Sequence, residues 1–221
     1  MSVTTCKNIL TIKSSDGQVY VKQADLNIKD FARTMRANIR AFWSGEWDYY
    51  QFLEAMVSAI RYGYTRAWKE GAAQCGIGMD DLTVQEMSIL QSRIVSDQAY
   101  AEHLADDIAA GSKANGGLLR AFAWRTELWV NNYNEMRNTA QLMACSDQKL
   151  RWVKTARESC TSCVRLNGKV KRASYWREHD VYPQHHSKLA CMISSGGVPV
   201  CRCHFEQTDD PITPGPLPNL P

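Results

Sequence analysis

The sequence predicts an α+β protein: a predominantly α-helical N-terminal portion followed by a small β-rich C-terminal module. Three observations carry this. None of the seven prolines precedes Pro183, so the first 182 residues can run long helices without a proline break. Within that stretch, apolar residues recur every three or four positions from Ile28 to Met143. After Asp147 the patterned segments become short, and Cys160, Cys163, Cys191, Cys201 and Cys203 fall within 44 residues together with His179, His185 and His186. The predicted organisation is an N-terminal hairpin or arm over 1–25, a helical domain over 26–146, a Cys-rich module over 147–206 and a Pro-rich extended tail over 207–221.

Taken in order, residues 9–22 alternate weakly around Ser-Asp-Gly and read as a hairpin. Ile28, Phe31, Met35, Ile39 and Phe42 then fall on one face of a first helix that stops at Gly45. Tyr49, Phe52, Met56, Ile60, Ala67 and Trp68 mark a second helix, with a stop predicted at Gly71. Residues 71–81 form a glycine-rich linker, after which Thr83 and Glu86 fit a capping box. Leu90, Ile94, Leu104 and Ile108 define the third helix, whose phase drifts around Ser96-Asp97. A single unbroken fourth helix is expected from Leu118 through Phe122, Trp129, Met136 and Met143. The module should then contain strands over 150–155, 168–172 and 201–205, with a short helix near Ser174–His179. The tail is expected to be extended and solvated.

Apolar residues make up 44% and charged residues 22% of the 221, a balance that excludes disorder throughout. The longest uncharged run, Leu189 to Cys201, falls short of the ~18 apolar residues of a spanning helix, so no membrane association is expected. The N-terminus lacks the pattern of a signal peptide, and the cysteines are expected to sit in a reducing cytosol. Net charge is +3, but residues 1–150 carry 16 basic and 17 acidic groups whereas 151–221 carry 10 and 6. The positive excess lies in the module.

Clustered Cys and His in such a chain read as metal ligands before they read as disulfides. Cys160-Thr-Ser-Cys163 is a CxxC knuckle able to supply two of the four ligands of a structural zinc. Cys191, Cys201 and Cys203 are candidates for the rest, with His185, His186 and His204 in reserve. On a flat strand Cys201 and Cys203 would stand ~6.5 Å apart, so Cys191 plus one of them is the favoured completion. A redox CxxC is disfavoured because a loop and a strand are predicted to follow the pair. No HExxH, and no HxE followed by CxxC, points to a catalytic metal.

Lys149, Arg151, Lys154, Arg157, Arg165, Lys169, Lys171 and Arg172 stand against Glu158 alone in this segment. Lys154, Arg157, Lys169, Lys171 and Arg172 are candidate contacts to phosphates or to an acidic partner, and a zinc-ribbon-like nucleic-acid-binding protein is therefore the alternative reading. Trp152, Tyr175 and Trp176 are expected to pack the module's small core. An enzyme built around Arg125 and Glu127 is the weakest reading, because no carboxylate pair, triad or phosphate loop is visible; the chain is expected not to be an enzyme.

A long helix carrying Arg125-Thr126-Glu127, a Trp-x-x-Thr segment (Trp152, Thr155), a CxxCxxLxGKV run (Cys160, Cys163, Leu166, Gly168, Lys169, Val170) and a distant CRC (Cys201, Arg202, Cys203) follow one another. Together they resemble the Mu F-like family of phage minor head, or head morphogenesis, proteins over about residues 118–206. In that family a histidine lies three residues before the CRC; here Val198 holds that position, and Cys191 is taken as the replacement ligand. The resemblance implies a non-enzymatic viral structural protein of the virion interior or procapsid, assembled in the host cytoplasm. Its implied partners are portal, capsid or scaffold proteins and packaged DNA, with no membrane and no small-molecule substrate.

Overall fold

In a computed structural model of the chain, the described residues are 3–6, 9–13, 19–23, 27–145, 147–155, 159–185, 189–191 and 201–220. The expected hairpin is present as β2 (Ile9–Lys13) and β3 (Val19–Gln23), and β1 (Val3–Cys6) adds a strand, giving an antiparallel sheet in the order β1-β2-β3.

The first three helices start at side-chain caps that the sequence supplies. Asn27 accepts from the backbone N–H groups of Lys29 and Asp30 and opens α1 (Ile28–Ser44), and Gly45 closes it at φ 81°. Asp48 and Gln51 form a capping box at the head of α2 (Tyr49–Ala73), and Thr83 with Glu86 does the same for α3 (Val84–Ala110). Phe31, Met35 and Ile39 of α1 pack with Phe52, Met56, Ile60, Tyr64 and Trp68 of α2, Leu104 and Ile108 of α3, and Trp129 and Tyr133 of α5 (Thr126–Ala144). Fully burying side chains of this size contributes about 1.5–3 kcal/mol each, so this interior is the main source of the bundle's stability.

Two expectations are corrected. Gly71 does not stop α2. The helix runs on to Ala73, and a Cβ at Gly71 would lie 2.1 Å from the Arg137 carbonyl oxygen, so its small size lets α2 and α5 approach. The fourth helix is not continuous: a single turn, α4 (Arg120–Ala123), precedes α5, and Leu118 is exposed. Around the break Arg125, Glu127 and Leu128 bond to the carbonyl three residues back, and the Thr126 hydroxyl takes the Ala123 carbonyl at 2.8 Å. The phase drift in α3 also has a cause. Asp97, 1% exposed, turns inward and accepts from the Tyr64 hydroxyl and from Asn132 at 2.7 Å, with the Arg93 guanidinium 3.5 Å away.

The module follows α5 directly. Strands β4 (Lys149–Val153), β5 (Val170–Arg172) and β6 (His204–Gln207) form an antiparallel sheet in the order β5-β4-β6, with Leu150 opposite Lys171 and Trp152 opposite Phe205. Helices α6 (Thr161–Leu166) and α7 (Ala173–Glu178) complete it. Trp152, Trp176 and Phe205 meet with ring centroids 5.4–5.7 Å apart, and Leu217 and Leu220 of the tail pack against this core. Past Gln207, which ends β6, the tail has no helix or strand among the described residues. It is not simply solvated, however: Thr213 hydrogen-bonds the Val170 backbone through both its amide (2.9 Å) and its hydroxyl (3.0 Å).

Bundle and module are joined at the end of α5. Cys75, just past α2, is disulfide-bonded to Cys145, with Cα atoms 5.4 Å apart. These two cysteines, scattered in sequence and expected to be reduced, are thus a covalent staple. No helix among the described residues is long and apolar enough to cross a membrane.

Candidate metal centre

The first half of the centre is the CxxC turn. Cys160 is the N-cap of α6, and its sulfur accepts the backbone N–H of Cys163 at 3.3 Å. A helix turn, rather than the predicted loop, therefore follows the pair. Ser162, fully buried between the two cysteines, accepts the Ala190 N–H at 3.0 Å and so fastens the segment carrying Cys191 onto the same turn. At the end of α6, Gly168 adopts φ 78° and feeds β5.

The second half is the CRC segment, and here the structure overturns the strand argument. β6 begins only at His204, so Cys201 and Cys203 precede the strand. Side chains rather than a neighbouring strand take their backbone groups. Gln184 donates from Nε2 to the carbonyls of Cys201 (3.2 Å) and Cys203 (2.7 Å), and Asn131 of α5 accepts the Cys201 N–H at 3.3 Å. Asn138, about two turns further along the same face of α5, accepts the Phe205 N–H and donates to Gln184 Oε1 at 2.5 Å. Freed from a flat strand, both cysteine sulfurs turn to one point.

That point is buried. The sulfurs of Cys163, Cys201 and Cys203 lie within 4.8 Å of one another, on residues 1%, 5% and 2% exposed. The Cys163–Cys201 separation is 4.0 Å. A tetrahedral thiolate site with metal–sulfur bonds of ~2.3 Å has sulfur–sulfur edges of about 3.8 Å, so the group is shaped to hold a metal ion. One tetrahedral position remains, for Cys160 at the head of the Cys163 turn or for Cys191 beside Ala190. Cys160 and Cys191 pack in the same core as these three cysteines.

Its electrostatics place the lowest proton affinity of the cluster on Cys201. Hydrogen bonds from Cys163, then Cys191 and Cys203, hold Cys201 far below the ordinary thiol range. The corresponding bonds to Cys201, reinforced by burial, push Cys163 and Cys191 far above it. Cys203 is pushed up to about 12, a lowering contact with Cys163 being outweighed by Cys201 and burial. A bound cation would replace the shared protons and compensate the buried negative charge.

The two reserve histidines among the described residues, His185 and His204, have other partners. His185 stacks on Tyr182 and bonds Asp180 at 3.1 Å, and His204 bonds Glu206 at 3.1 Å. His186 and Val198 lie outside the described residues. Of the predicted phosphate contacts, Lys154 and Lys169 are half-buried, while Arg172 is exposed and donates to the Asp147 carbonyl at 2.7 Å. Arg157 lies outside the described residues. Lys171 is corrected: it is 5% exposed and its ammonium is held by the carbonyls of Thr213 and Gly215 over the Tyr175 ring. Arg125 and Glu127 pair with Asp107 (2.6 Å) and Arg36 (2.8 Å), ties that fix the start of α5 to α3 and α1.

Sequence reasoning missed Asn131, Asn138, Ser162 and Gln184. The signal for the first two was the run Asn131-Asn132-Tyr133-Asn134 with Asn138, poor helix formers in a helix that otherwise reads as buried. No protein-family model, curated protein or solved structure matches the chain.

Proposed function

We propose that this chain is a structural minor head protein of a phage, with a helical portion that docks on portal or inner capsid proteins and a zinc-stabilised C-terminal module. The observation that carries the reading is the convergence of the two halves of the Mu F-like motif. CxxC and CRC, 38 residues apart between Cys163 and Cys201, supply the three sulfurs of one buried cluster. The remaining motif residues also take structural parts: Trp152 and Leu166 fill the core, and Gly168 makes the turn. Arg125 and Glu127 are spent on ion pairs between helices, which supports a role in architecture rather than chemistry.

Zinc is the metal proposed because an all-cysteine tetrahedral set suits a d¹⁰ ion. Zinc would do folding work, since a module of this size with few large aliphatic residues buries little surface; binding contributes on the order of 10 kcal/mol in comparable domains. Cys163, Cys201 and Cys203 would hold it, with either Cys160 or Cys191 as the fourth ligand. The protein would be made in the host cytoplasm and retained inside the procapsid or virion. The test is co-expression with the portal and major capsid proteins of the same genome. Incorporation into procapsids at a few copies each supports the reading; particles that form fully without taking it up contradict it.

A further inference from the structure

The tail is bound to the module as a ligand is bound to a receptor. Lys149 Nζ donates to the carbonyls of Asp209 (2.6 Å) and Asp210 (2.9 Å), and Arg151 reaches Thr208 Oγ1 and Asp210 Oδ2, each at 2.6 Å. The chain then passes along the outer edge of β5, where Thr213 pairs with the Val170 backbone. Beyond that edge, Lys171 Nζ takes the Thr213 (2.8 Å) and Gly215 (2.5 Å) carbonyls, and Arg165 takes that of Asn219 at 2.6 Å. Leu217 and Leu220 insert against the Trp152–Trp176–Phe205 core.

Three features make this a peptide site rather than ordinary chain packing. The bonds from Lys149, Lys171 and Arg165 read main-chain oxygens, which any extended segment presents. The edge of β5 is a strand edge of the kind that accepts an added peptide. Pro211, Pro214, Pro216 and Pro218 restrict the backbone of the segment before it binds, which lowers the ordering cost, and Gly215 bends it at φ 75°. Lys171 is the centre of the site: it is buried, and both its hydrogen-bond acceptors belong to the tail.

We infer that the C-terminal module is a receptor for a proline-rich segment, filled in the lone chain by its own tail and open to exchange with the tail of a second copy. A short tether gives the chain's own tail an effective concentration in the millimolar range. A lone copy therefore closes on itself, and exchange sets in where copies are crowded to comparable concentration. The inference does not depend on the head-protein reading, and its failure would leave that reading standing.

The experiment uses the full chain with a protease site inserted between Gln207 and Thr208, cut after folding. The tail should stay with the body on gel filtration and exchange with a labelled 208–221 peptide. Lys171→Met and Leu217→Ala should each weaken peptide capture at least tenfold. Mixing the cut, tail-depleted body with intact Lys171→Met chain, whose tail is no longer held by its own module, should give a one-to-one complex by sedimentation. Loss of the tail with no peptide capture, while tryptophan near-UV dichroism still reports a folded module, would overturn the receptor. Peptide capture without the one-to-one complex would overturn exchange between copies.

Discussion

Gln184 is the side chain whose removal tests most about how the centre is built. It is fully buried and makes three hydrogen bonds: Nε2 to the carbonyls of Cys201 (3.2 Å) and Cys203 (2.7 Å), and Oε1 from Asn138 (2.5 Å). Gln184→Ala deletes all three and strands two carbonyls and an amide in the interior. At about 1 kcal/mol net per bond the loss is about 3 kcal/mol, and it rises toward about 6 kcal/mol if water cannot reach the abandoned groups. The positive backbone angle at Gln184, φ 69°, is unchanged by substitution with another L-residue, so the loss reports the side chain alone. Urea unfolding followed through Trp152 and Trp176 fluorescence measures it. Because Asn138 shares one of the bonds, the Asn138→Ala/Gln184→Ala pair should be less destabilised than the sum of the singles by about 1 kcal/mol or more. A Gln184→Ala module within about 0.5 kcal/mol of the parent would refute the argument that this residue lifts the CRC segment out of strand geometry.

Other outcomes follow from the same packing. Gly71→Ala places a methyl group against the Arg137 carbonyl and should cost about 2–3 kcal/mol by thermal or denaturant unfolding, whereas a merely helix-terminating glycine would tolerate it. Opening the Cys75–Cys145 link, which closes a separation of 70 residues, should lower stability by about 4 kcal/mol; two free thiols at these positions in the native protein, counted by mass spectrometry, would contradict it. Burial raises the Glu135 carboxyl above its usual 4.5, against the opposing pull of Arg93. The folded state therefore holds that proton more tightly than the unfolded one. Stability contributed by the protonated form declines as pH rises from the ordinary carboxylate range through the raised value, and Glu135→Gln should flatten that slope in denaturation midpoints measured across the window.

The division into helices, module and tail is legible in the sequence because periodicity and proline placement are local signals. Thr83 acts as a cap through Glu86, three residues away, and that start was readable; the helices beginning at Ile28 and Tyr49 were readable from their apolar spacing. Gly71 was misread because its role is set by Arg137, which is remote in sequence. Lys171 was misread for the same reason: in sequence it is one cation in a basic run, and only the returning tail buries it. The five cysteines could be nominated from spacing, but the grouping of Cys163 with both Cys201 and Cys203 could not. It depends on Gln184 and the α5 asparagines holding the CRC backbone, and nothing in the local pattern around Cys201 announces that.

Metal stoichiometry in single cysteine variants tests the central claim most directly. Protein purified under reducing conditions with zinc supplied should contain one metal ion per chain by elemental analysis. Cys163→Ala, Cys201→Ala and Cys203→Ala should each abolish it, and of Cys160→Ala and Cys191→Ala only one should. Cys75→Ala and Cys145→Ala should leave it intact. A parent chain without bound metal, or full occupancy in any of the Cys163, Cys201 and Cys203 variants, would contradict the account.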